Sequence, residues 1–203
     1  MESTAAPTPE PEAVVPPGQH AEPERGASSK ANYVVLGVLA VAGALGLLVA
    51  AFLQRDVPEL HADPVEHFKY GSIGSDAGGG VPYWIWRVLP RVFPEYLPDR
   101  PGEGYARMGF VYESPDRDRP IGTSLRAHPV ELVGLNCAVC HTGTLQDAPG
   151  GQARIVLGMP AHQFDIESYF RFLFAAAQND RFNPDTLLAA IRQENPNFSW
   201  LDG

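Results

Sequence analysis

Residues 33–53 carry no charged side chain, and that stretch constrains this chain more than any other. Its twenty-one residues are mostly Val, Leu, Ala and Gly. At about 1.5 Å of rise each they span roughly 30 Å as a helix, the thickness of a bilayer core. Hydrocarbon offers no partner to an exposed N–H or C=O, so a lone run of this kind must satisfy its backbone internally as a helix. Lys30 and Arg55 bound it. A cleaved signal peptide, with small residues near 49–51 as its cleavage site, competes with this reading. The run is longer than an ordinary signal core and begins about thirty residues in, which favours one uncleaved anchor over 31–54. Ala42, Gly46 and Ala50 recur every four positions, the spacing that lets a second helix approach closely.

Before the anchor, residues 1–30 are rich in Pro, Ala and Glu and lack aromatic residues. Such a segment buries too little surface to fold and reads as a disordered cytoplasmic tail. After the anchor, residues 55–203 have the length of one ordinary domain. The chain has a formal net charge of −9 and no cluster of Lys and Arg, which argues against nucleic acid as a partner. Its acidic balance reads first as a solvated surface.

The only two cysteines lie in the run Cys137, Ala138, Val139, Cys140, His141. Cys-x-x-Cys-His is the attachment signature of a c-type haem. Two thiols must reach adjacent ring edges of haem from about one helical turn, and the following histidine must face the iron as proximal ligand. A redox dithiol shares the two-residue gap but gives no reason for the histidine. A structural zinc needs four ligands and would have to recruit His128 or His162. A disulfide between the two cysteines suits an oxidising compartment. The haem reading is favoured, with one covalent haem c as cofactor and Cys137, Cys140 and His141 as its attachment set.

Haem c is normally attached on the outer face of a bacterial membrane. Positive-inside counting is nearly balanced, with Arg25 and Lys30 before the anchor and Arg55 and Lys69 after it. The motif therefore decides the orientation. It implies a single-pass protein of a bacterial inner membrane, anchored in lipid, with a periplasmic haem domain.

The expected fold is mainly α, a cytochrome c-like haem domain with long irregular loops after one transmembrane helix. The glycines from Gly71 to Gly80 lack the Gly-Lys-Ser/Thr ending of a phosphate loop and read as loop. Residues 81–92 read as a helix with Pro82 in its first turn. Residues 105–112 and 154–157 read as short strands. Residues 164–178 form an aromatic-rich helix, and Asn183 caps a last helix that ends near Asn195.

A family resemblance is carried by His67, Phe68, Lys69, Tyr70, Gly71, Ser72, Ile73 and Gly74; by Gly104, Tyr105, Ala106, Gly109 and Phe110; by Gly134, Leu135 and Asn136 running into the motif; and by Gly158, Met159, Pro160, Ala161 and His162. Over about 67–195 the chain resembles bacterial diheme c-type cytochromes, more narrowly the cytochrome c peroxidase-like group that includes the rubber oxygenases. The resemblance implies two haem domains, one reacting with peroxide or dioxygen and one relaying electrons. Only one haem motif is present, so the chain reads as the N-terminal haem half, with a second haem domain or subunit and a redox partner protein implied.

The same group commonly places a distal histidine at about the separation of His162 from His141, which makes His162 the leading candidate for the sixth iron ligand. Met159 is the alternative, and a thioether ligand would raise the reduction potential. His61, His67 and His128 are weaker options. Arg107, Arg126, Arg154, Tyr105 and Trp84 are candidates to meet the haem propionates. Two functions are in view. One is an electron-transfer cytochrome, and the other is the haem half of a peroxidase-like or oxygenase-like enzyme.

Overall fold

A computed structural model describes residues 28–199, with side chains from residue 32 onward. The expected tail lies outside the described residues except for its last three positions, which begin α1 (Ser28–Leu53). Residues 32–53 of α1 are long and apolar enough to cross a membrane, and their side chains are exposed throughout. The chain divides into two compact units, the second beginning at Leu48.

The second unit is mixed α/β, which corrects the expectation of a mainly α fold. After α1 come β1 (Val57–Pro58), α2 (Pro64–Tyr70), α3 (Asp76–Gly79), β2 (Val81–Pro82) and α4 (Tyr83–Val92). Then follow β3 (Thr123–His128), β4 (Val130–Leu135), β5 (Thr142–Leu145), β6 (Arg154–Leu157), α5 (Ile166–Ala177) and α6 (Pro184–Glu194). One antiparallel sheet has the order β1-β3-β4-β2, and β5 and β6 form a separate hairpin.

The β3–β4 hairpin escaped the sequence reading because the alternation of its inner face is polar. Ser124 and Arg126 are buried on β3 and donate to the fully buried Asp76 at 2.6 and 2.7 Å. Ser72 donates to the same carboxylate at 2.9 Å. Burial alone would raise the Asp76 carboxyl, but the hydrogen bonds from Ser124, Arg126 and Ser72 outweigh it and hold the group below its usual range. Gly134, the register partner of Ser124, leaves the space this requires, since a Cβ there would lie 2.6 Å from that of Asp76. The same anchoring corrects the loop expected over the glycine run. Asp76 opens the short helical turn α3, and Gly80 donates back to its carbonyl at 3.2 Å.

Helix ends follow local chemistry. Asp63 accepts from the amides of Val65 and Glu66 to start α2, and Asn183 accepts from Thr186 to start α6 as expected. In α4, Pro90 has no N–H for the carbonyl of Trp86 four residues earlier. The Tyr105 hydroxyl supplies that bond at 2.6 Å, and its ring stacks on Trp86 with centroids 4.1 Å apart. Pro82 sits before α4, in β2, rather than in its first turn. The strand expected over 105–112 is replaced by a 3-10 segment, Gly104–Met108, which ends at Gly109 with φ +85°. A side chain there would run into the Gln163 carbonyl. Trp86, Phe93, Tyr105, Met108, Phe110, Tyr169 and Phe172 are part of the main core, so Tyr169 and Phe172 of α5 pack against other aromatics, while Phe170 and Phe174 on the same helix are exposed.

Candidate haem-attachment turn

β4 runs directly into the Cys-x-x-Cys-His segment, and Asn136 makes the junction. Its amide donates to the Gly122 carbonyl at 2.9 Å, and its side-chain oxygen accepts from Ala138 N at 2.9 Å. Its side-chain nitrogen donates to the carbonyls of Gly71 and Lys69 at 3.0 and 3.3 Å. One buried side chain thus caps the following 3-10 turn, Cys137–Val139, and ties it to the end of α2. The turn rests on Gly122, whose φ is +94° and where any Cβ would strike the Val139 backbone.

Val139 enters the main core, and Ala138 enters a second cluster with Tyr70 and Ile121. Cys137, Cys140 and His141 are all exposed, and both thiols are free. The amide of His141 donates to Cys137 O and Ala138 O at 3.1 and 3.2 Å, closing a helix-like turn. Positions i, i+3 and i+4 of such a turn share a face. Two apolar residues therefore point in, and the two thiols and the imidazole point out.

The turn is held from its far side by a strap. After β6, the amide of Gly158 donates to His141 O and that of Ala161 to Cys140 O, each at 2.8 Å. Between them the Met159 sulfur lies 3.1 Å from where a Gly143 Cβ would be. His162 is exposed at the end of the strap. The side-chain oxygens of Thr142, at the start of β5, and of Gln163, next in sequence to His162, are buried without a hydrogen-bond partner.

Other candidates are committed elsewhere. His67 Nδ1 accepts from the His61 amide at 3.4 Å, and His61 lies 3.2 Å from Glu59. His128 ends β3 at the far end of the hairpin. Arg126 is held by Asp76, Asp56 and Ser72, and Tyr105 by Trp86 O. Arg107 lies 3.8 Å from Asp99, and Trp84 packs edge-on against Tyr83 and Phe198. Arg154 alone among the propionate candidates is on the hairpin that leaves the motif, exposed and paired in register with Leu145.

Among the described residues no three of His, Cys, Asp and Glu converge as a metal-ion site, so the zinc reading has no ligand set. The two thiols and the imidazole lie on the exposed face of the turn. A cleft of about 580 Å³ lined by Trp86, Arg87, Arg91, Tyr105, Tyr112 and Glu194 includes no residue of the motif. Asn136 was missed as a site residue by sequence reasoning. Its place just before Cys137, as a potential cap of the turn, was the available signal. No protein-family model matches the chain, and neither curated proteins nor solved structures give a significant match.

Proposed function

We propose that this chain is a membrane-anchored c-type cytochrome that carries one covalent haem and moves electrons on the periplasmic side of a bacterial inner membrane. The observation that carries the reading is the division of the motif turn, with Ala138 and Val139 buried and Cys137, Cys140 and His141 turned outward. Each thiol would add across one vinyl group, its sulfur forming the S–C bond and its hydrogen going to the other vinyl carbon. His141 would be the proximal ligand, and Arg154, on the hairpin that follows the motif, would be one candidate to meet a propionate. When bound, the haem supplies one-electron iron chemistry, and the protein supplies orientation and electrostatics. Asn136 holds the turn in register while the group docks.

The apolar α1 supports lipid anchoring. The resemblance to diheme c-type cytochromes adds a redox partner protein and a second haem domain or subunit to the proposal.

The test is production of the full chain with haem c maturation machinery, followed by denaturing electrophoresis with haem staining. Covalent haem is expected in the wild type and absent from the double variant Cys137→Ser, Cys140→Ser. Haem that stays covalently bound in the variant, or a wild type that never acquires it, overturns the proposal.

A further inference from the structure

We infer that the cleft of about 580 Å³ beside α4 is a second binding site, built for a small organic monocarboxylate with an apolar body. The site is separate from the haem reading and stands without it, since no residue of the motif lines the cleft.

Arg87 and Arg91 lie one turn apart on α4, line the cleft and share one acid. Arg87 Nε donates to Glu194 at 2.6 Å, and Arg91 Nη1 lies 3.4 Å from the other oxygen of the same carboxylate. Two guanidinium charges therefore face one carboxylate, and one positive charge in this trio is unmatched. The other charges nearby are matched outside it. Asp118 accepts from the Tyr83 hydroxyl at 3.1 Å and lies 3.6 Å from Arg119, and Arg117 pairs with Glu66 and Glu113. Arg91 Nη2 donates to the Ala190 carbonyl. Arg87 Nη1 donates to the Tyr83 hydroxyl and the Asp118 carbonyl at 3.1 and 3.3 Å, while its Nη2 has no hydrogen bond among the described residues.

Tyr112 supplies a second unspent donor. Its hydroxyl has no hydrogen-bond partner among the described residues, although the side chain lines the cleft and is half-buried. Burial pushes the phenol up to about 12, with Arg87 opposing the rise and Asp118 adding to it, so at neutral pH the group keeps its proton and donates. A half-buried donor of this kind wants an acceptor. A carboxylate offers two acceptor oxygens, one for Tyr112 and one for Arg87 Nη2, and its single charge matches the excess over Glu194. Glu103 is exposed at the rim with no ion pair among the described residues, and its charge disfavours a dianion. Pro90, Ala106 and the stacked rings of Trp86 and Tyr105 supply apolar wall for the body of the ligand, and the volume is that of an ordinary small-molecule site.

The experiment titrates the full chain in detergent at neutral pH with sodium benzoate by isothermal calorimetry, with benzamide as the uncharged analogue and inorganic phosphate as the competing anion. Benzoate is expected to bind, benzamide to bind at least about tenfold more weakly, and phosphate to leave benzoate in place. Tyr112→Phe keeps the ring and its packing and is expected to weaken benzoate about tenfold, the loss of one hydrogen bond to a charged group. Arg91→Gln, at an exposed position, is expected to weaken benzoate and to flatten its dependence on added salt. Thermal midpoints of both variants identify the ones that fold, and either folded variant carries the test. Benzoate without saturable binding, benzamide that binds as well as benzoate, phosphate that displaces it, or a folded variant with wild-type benzoate affinity overturns the inference.

Discussion

Asp76 is an acid with no exposed surface, and its three donors come from segments far apart in sequence, Ser72 before it and Ser124 and Arg126 on β3. Removing the charge leaves Arg126 buried against an incomplete set of acceptors, so Asp76→Asn is expected to cost about 3 kcal/mol at neutral pH. The Asp76 carboxyl is held below the ordinary value of an aspartate side chain. Its contribution is fully present above that value and disappears as pH falls through the lower folded value. The stability gap between wild type and Asp76→Asn, measured by urea denaturation, should be constant from neutrality down to about pH 5 and should close in stronger acid. A gap that widens on acidification would contradict this assignment.

At the level of elements, legibility divided according to where the partners lie. α6 could be read from Asn183, Pro184 and Asp185 because a cap and first turn are local chemistry. The strand Arg154–Leu157 and the core of the aromatic helix were legible for the same reason. The β3–β4 hairpin was hidden because Ser124 and Arg126 look like surface residues until Asp76, about fifty positions away, is seen to receive them. The motif could be identified from five residues, whereas the strap that holds it depends on pairing His141 with Gly158 and Cys140 with Ala161. Asn136 joins these levels. Asn136→Ala leaves Ala138 N and the Gly71 carbonyl without their partner in a buried setting, while the Lys69 carbonyl keeps the Gly122 amide, an expected loss of about 2–3 kcal/mol. Because the turn is what presents the thiols, covalent haem per unit protein should fall in this variant more than in Asp76→Asn, whose lesion lies on the sheet. Haem staining normalised to immunodetected protein measures that ratio. Equal losses would reduce Asn136 to a general stabiliser.

For the whole molecule, the open question is whether α1 stays attached to the domain that follows it. Only Gln54, Arg55 and Asp56 separate the end of α1 from β1, and Asp56 is bound by Arg126 within the folded unit. Cleavage near 49–51 would leave that bond and the pairing of β1 with β3 intact, so a folded domain is compatible with either fate. The two fates differ in where the protein is found. An uncleaved anchor predicts that the 22.0 kDa chain remains in the membrane pellet after alkaline carbonate extraction. Each Arg at the centre of a spanning helix costs about 2.5–3.5 kcal/mol on insertion scales, so Val41→Arg with Leu45→Arg should lose stable insertion. Without insertion the C-terminal side is not delivered across the membrane, so haem staining should vanish along with membrane retention, although Cys137, Cys140 and His141 are untouched. A soluble wild-type product whose N-terminus lies near Phe52 would instead establish a cleaved leader, with haem attachment preserved. Haem staining undiminished in the double-Arg variant would break the proposed link between translocation and attachment.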